Sequence, residues 1–163
     1  MKVNKLAYLL LLGWMISISI TASSQAGKLP PFKMLLSNNK VFKAQDLPMG
    51  KPIVIIYFSP DCDHCEKLMQ ALLKRTAELK KASIALVTFL PIDKVSKFSS
   101  DYKLAQYPNM YVGTEGNTFF LKNYYKLVSM PFMALYNKNG DLIKMYPKED
   151  QLDDLCTRLK QLK

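Results

Sequence analysis

Cys62-Asp63-His64-Cys65 sets two thiols close together along the chain, with a carboxylate and an imidazole between them. On a helix this spacing is a little under one turn, so the two sulfurs can form a disulfide with each other and open it again. The pair lies where the unbroken β-branched and aromatic run from Ile53 to Phe58 passes through Ser59-Pro60-Asp61 into a stretch of helical periodicity. A strand that runs into a helix entrance presents Cys62 to free backbone N–H groups and to the positive end of the helix dipole, both of which favour a thiolate. Thiolate is the nucleophile in disulfide exchange. Cys62 is therefore expected to attack, and Cys65, a turn further in, to resolve the mixed disulfide. His64 supports a neighbouring thiolate when it donates or is protonated, whereas Asp61 and Asp63 bring negative charge to the same sulfur. These residue types pull in opposite directions, and they leave the direction of electron flow open.

Other uses of the cysteines fit less well. A zinc site needs about four ligands, and the chain offers Cys62, Cys65, its single histidine His64 and a distant Cys156. No metal and no cofactor is expected. A purely structural bridge seldom sits within one turn at a helix start. Cys156 falls on the apolar stripe Leu152, Leu155, Cys156, Leu159 and Leu162, and reads as a small core residue.

The elements that must position the pair follow from periodicity. Ile53 to Phe58 suits a strand buried on both faces. From Cys62 the apolar residues Cys65, Leu68, Met69, Leu72, Leu73 and Leu79 recur at helical spacing. A second apolar strand runs from Ile84 to Leu90, so strand, helix and strand make a βαβ unit with parallel strands. Phe32 to Leu36 and Lys40 to Lys43 form a hairpin around Ser37-Asn38-Asn39. In the middle, Asp93 is expected to cap a helix through Leu104, Met110 to Val112 to form a strand, and Asn117 to cap a helix through Leu127. Pro131 to Tyr136 and Leu142 to Tyr146 flank an Asn-Gly turn at Asn139-Gly140, a strong hairpin signal. A last helix starts at about Asp150.

Upstream of all this, Lys2 and Lys5 precede an uncharged apolar run from Leu6 to Ile20 and then small residues ending in Ser24-Gln25-Ala26. This pattern is that of a secretory leader over residues 1–26, with cleavage before Gly27 and a single domain over residues 27–163. An uncleaved anchor is the alternative, although the run is shorter than the roughly twenty residues a spanning helix needs. Export places the protein in the periplasm or cell envelope, where dithiol exchange has substrates; contact with a membrane is expected only if the leader is retained. The formal charge of +10 comes from scattered residues, with Arg only at positions 75 and 158. Such a distribution argues against nucleic acid and for a solvated basic surface.

Taken together, these segments resemble the thioredoxin superfamily, and within it the exported TlpA-like disulfide reductases. The resemblance rests on Lys51-Pro52 leading into the strand and the cysteine motif, on Val128-Ser129-Met130-Pro131-Phe132, and on the turn Asn139-Gly140-Asp141. It implies an α/β, thioredoxin-like fold with a central mixed sheet flanked by helices and the N-terminal hairpin as an extension. It further implies that Pro131 is cis against the Cys62 sulfur and that Met130 offers its backbone to an extended substrate. The implied activity is thiol–disulfide exchange, with reduction favoured, on protein thiols and disulfides of the cell envelope, served by a membrane electron donor or acceptor. Two departures stand out: Ile56 occupies the position of the family's buried acid, and Asp61 precedes the first cysteine. The first leaves open what takes the proton from Cys65, water or Glu66. Two rivals are a peroxiredoxin-like peroxide reductase, for which Ser59 is suitably placed but Ile56 is not the expected proline, and a non-catalytic binding module using the Met130–Pro131 groove.

Overall fold

The computed structural model describes residues 27–162; the leader assigned to residues 1–26 lies outside them. Seven strands form one mixed sheet in the order β2-β1-β5-β4-β3-β6-β7. They are β1 (Lys33–Leu36), β2 (Val41–Lys43), β3 (Ile53–Tyr57), β4 (Ser83–Thr88), β5 (Met110–Thr114), β6 (Phe132–Tyr136) and β7 (Leu142–Tyr146). The central β3, β4 and β5 are parallel, as the βαβ reading requires. The N-terminal hairpin β1–β2 adds antiparallel to β5, and the C-terminal hairpin β6–β7 adds antiparallel to β3. The architecture is the expected α/β fold, a mixed sheet flanked by helices with a hairpin extension.

Alternation along the strands divides the core in two. Val54, Ile56, Ile84, Leu86, Val112, Met133 and Leu135 point to one face, under α1 (Asp63–Lys74), α2 (Thr76–Leu79), α3 (Ile92–Asp101) and α5 (Leu152–Gln161). Ile53, Ile55, Tyr57, Ala85, Val87, Phe132 and Ala134 point to the other, covered by Phe32, Met34, Phe42, Leu47 and Leu121 of the short α4 (Phe120–Tyr124). Every residue of β3 is buried, the physical reason its sequence carries no polar alternation.

Three helices differ from the expectation. The first does not run to Leu79: Arg75 leaves helical geometry at φ −118° and ψ 21°, and its guanidinium turns back to both oxygens of Glu78 at 2.9 Å. The α3 helix starts at Ile92 after Pro91, not from a cap at Asp93, and stops at Asp101; Lys103 then turns left-handed at φ 52°, leaving Leu104 buried in a short following turn. The helix expected from Asn117 to Leu127 shrinks to five residues, because Phe119 and Lys126 both take positive φ, 45° and 53°. The last helix is introduced by a turn at Glu149–Gln151.

The join between hairpin and central sheet depends on Gly113. A Cβ there would lie 2.7 Å from the Leu35 carbonyl oxygen and 2.9 Å from Met34 Cγ. Gly113→Ala is expected to cost about 1–3 kcal/mol through this overlap. It should lower the denaturant midpoint, while Gly140→Ala, where the obstacle is the left-handed φ of 75° rather than a neighbour, serves as the comparison.

Candidate active site

The β3 strand delivers the chain to the helix face at its C-terminal end. Phe58 is still buried, its N–H bonded to the Val87 carbonyl at 3.0 Å. Ser59-Pro60-Asp61 then turns the chain so that Cys62, in extended geometry, becomes the N-cap of α1; its carbonyl accepts the first helical N–H, from Glu66, at 2.9 Å. Cys62 is half-buried at the positive end of the α1 backbone dipole. Cys65 lies within the core at 3% exposure.

The surroundings of the two sulfurs differ. The Cys62 thiol lies 3.8 Å from the carbonyl oxygen of Met130, to which it donates. The Met130–Pro131 peptide is cis, and the loop entering β6 sits against the cysteine motif through this contact. Cys65 Sγ accepts the Ser59 N–H at 3.4 Å and otherwise packs among apolar side chains. Burial pushes its thiol from the ordinary 9.0 up to about 12; the Ser59 N–H opposes the rise, while Cys62 and the charge of Glu149 add to it.

Two of the charged residues predicted around the pair, His64 and Asp61, are drawn to partners far away in sequence. The His64 Nδ1 pairs with a carboxylate oxygen of Glu149, from the turn before α5. Glu149 is held below the ordinary carboxylate range by its own backbone N–H and then by His64. Asp61 pairs with Lys94 of α3 at 3.3 Å. Asp63 is the exposed first residue of α1, where the helix dipole favours a carboxylate. Glu66 is exposed and accepts the Gln70 amide at 3.1 Å. Ile56 is 1% exposed and packs in the helix-side core below Cys65.

Sequence reasoning missed Glu149 and Lys94, for which no local signal exists, and it missed Glu115. That carboxylate is buried just beyond β5, accepting the Tyr57 hydroxyl at 2.7 Å and the Leu121 N–H at 2.7 Å. It ties the end of β3 to α4, on the sheet face opposite Cys65. The Tyr57 hydroxyl is pushed far up, by burial first and by Glu115 second. A signal was available: a lone acid at the end of an apolar strand. A cleft of about 640 Å³, lined by Lys51, Ser83, Tyr107 and Asn109, lies at the opposite end of the sheet and takes no part in the cysteine chemistry. Among the described residues no group of three or more His, Cys, Asp or Glu could hold a metal ion.

Residues 45–161 match the family described as the thioredoxin-like domain. The chain belongs to this family. Solved structures agree on the fold. The thioredoxin domain of a thiol–disulfide oxidoreductase from Bacteroides vulgatus superposes with a TM-score of 0.67 at 18% identity, covering 86% of this chain and 100% of that one. A secreted Mycobacterium tuberculosis disulfide oxidoreductase homologous to E. coli DsbE gives 0.65 at 18% identity, covering 81% and 96%. The peroxidoxin BcpB of the same organism gives 0.70 at 11% identity, covering 84% and 97%. A search of curated protein sequences finds no match.

The raised thiol of Cys65 has a direct consequence. In a Cys62→Ser variant, alkylation of Cys65 by iodoacetamide, followed by peptide mass spectrometry, should be slow at neutral pH. Its rate should rise about tenfold per pH unit through the ordinary thiol range without levelling, because only the thiolate reacts. A plateau near pH 9 would show an ordinary thiol. The same burial makes the reduced fold most stable below the unfolded thiol value, with that contribution lost as pH climbs toward about 12.

Proposed function

We propose that this protein is a thiol–disulfide oxidoreductase of the cell envelope, with Cys62 as the attacking and Cys65 as the resolving residue. The observation that carries the proposal is the unequal placement of the two sulfurs. Cys62 is half-buried at the mouth of α1 against the Met130 carbonyl, whereas Cys65 is enclosed in the core and bonded by Ser59. In the reducing direction, the Cys62 thiolate attacks one sulfur of a substrate disulfide. A new S–S bond forms, and the other substrate sulfur leaves as a thiolate that takes up a proton. Cys65 then loses its proton and attacks Cys62, releasing the second substrate thiol and leaving Cys62–Cys65 oxidised. The substrate has gained two electrons, and a membrane electron donor restores the dithiol. Reduction is preferred over oxidation on the TlpA-like resemblance. Asp61, Asp63 and His64 tune the pair, and Met130 and Pro131 hold the substrate backbone. Export rests on the leader pattern in residues 1–26 and on the secreted character of the M. tuberculosis relative.

A peroxide reductase is the second reading, favoured by the likeness to a peroxidoxin and by Ser59 three residues before Cys62. Against it stand the buried Ile56 in place of a proline and the Ser59 N–H committed to Cys65.

Cys65→Ser is expected to accumulate mixed disulfides with substrate proteins, and Cys62→Ser to form none, as read on non-reducing gels after acid quenching. Equal trapping by both variants would reverse or remove the assigned roles. Insulin reduction with a thiol donor should require both cysteines, and faster turnover of hydrogen peroxide than of insulin would establish the second reading. The midpoint potential against glutathione fixes direction: a value near about −270 mV marks a reductant, one near about −120 mV an oxidant.

A further inference from the structure

The two faces of the sheet are covered unequally. The edge strand β7 sends Lys144 and Tyr146 toward the helices, where Lys144 reaches Asp154 at 3.1 Å and Tyr146 is fully buried. Met145, opposite Ala134, faces the other way and is 48% exposed. Beside it the loop after α4 presents Val128, which is 100% exposed. Val128, Met145, Tyr125, Leu127, Phe132 and Pro147 line an apolar cleft of about 350 Å³. Ser129 also lines it, and its neighbour Met130 is the residue whose carbonyl meets the Cys62 thiol. The cleft is therefore continuous with the proposed substrate strip. An exposed apolar patch of this kind marks an interaction site.

The charge at the cleft is basic: Lys126 is among its lining residues, and no acidic residue is. An extended partner segment carries residues two apart on the same side, so one whose cysteine meets Met130 can bring a side chain two residues away to the cleft beside Val128.

We propose that this cleft selects the substrate: an extended, cysteine-bearing polypeptide with a large apolar side chain two residues from the reacting cysteine and no basic residue beside it. The proposal rests on the exchange reading and adds a specificity that the cysteine pair cannot supply. It also uses Met145, which β7 leaves uncovered, and the occupant's chemistry follows from the adjoining Met130 carbonyl and from Lys126.

The test uses peptides carrying one glutathionylated cysteine and differing only in the residue two positions away, Leu or Ser, on either side. The reduced protein should open the Leu peptide about tenfold faster in kcat/KM in one of the two placements, the discrimination expected from burying one large side chain. Val128→Asp and Met145→Asp should each bring that ratio close to one. Val128 is fully exposed, so its replacement does not threaten the core. A wild-type ratio of one in both placements overturns the proposal; turnover of glutathione disulfide in the same sample shows that the exchange reading survives. If glutathione disulfide is not turned over either, the exchange reading has failed and the specificity falls with it. Should Val128→Asp keep the peptide ratio but abolish pelleting with phosphatidylglycerol vesicles, the face serves a membrane surface and the proposal is wrong.

Discussion

The pairing of β3 with β6 is the constraint from which the rest of the site follows. Tyr57 lies opposite Phe132 at the end of this antiparallel ladder, and both chains leave the sheet there, one running on to Cys62 and the other arriving from Met130. The thiol and the carbonyl meet at 3.8 Å because both loops are tied to neighbouring ends of one ladder. A slip of one residue would turn Phe132 and Ala134 toward the helices and carry Met130 away from the cysteines. Both strands are apolar on both faces, so fit rather than polarity holds the register: Ile53, Ile55 and Tyr57 fill one half of the core while Val54 and Ile56 fill the other, and a slip would exchange side chains of different volume between two close-packed halves.

This explains what was legible in the sequence. Strands, the βαβ unit, both hairpins and the helix start at the cysteine motif are local patterns of period and turn residue, and each was found close to where it was expected, the second central strand ending at Thr88 rather than Leu90. Helix ends were read less well, because they are decided by groups the periodicity does not carry. Arg75 ends α1 by engaging Glu78, and Glu115 accepts the Leu121 N–H at the start of the shortened α4. The cysteine pair itself was visible from residue type and placement. Its electrostatic partners were not: Glu149 is 85 residues from His64 and Lys94 is 33 from Asp61, distances over which spacing says nothing without a register.

Those partners alter the balance of charges that the motif suggested. Taken alone, His64 favours a thiolate and the two aspartates oppose it. In the folded protein His64 spends its Nδ1 on Glu149, and Asp61 is offset by Lys94. Both are exposed enough that each pair contributes modestly to stability. Their effect is to bring the local charge near the sulfurs closer to balance, so that the backbone dipole of α1 and the Met130 carbonyl become the principal fixed groups around Cys62. The backbone sets the site more than Asp63 and His64 between the cysteines do.

The absence of an acid at position 56 bears on the second half of the reaction. In this chain the space below Cys65 is closed by Ile56, Leu68, Met69 and Leu72, all almost fully buried, and the hydrogen-bond partner of the buried sulfur is a donor, the Ser59 N–H. A donor steadies the thiolate once it exists but cannot take the proton that must leave first. On the proposed exchange reading, attack by Cys65 waits on deprotonation of a thiol that burial raises, and the acceptor comes from the helix entrance, where Cys62 would meet the substrate. The leaving substrate thiolate would emerge there as a base of ordinary thiol strength. Proton transfer from Cys65 to it, directly or through water, would close the cycle without a dedicated acid in the protein, which makes resolution depend on the substrate being seated rather than on the enzyme alone.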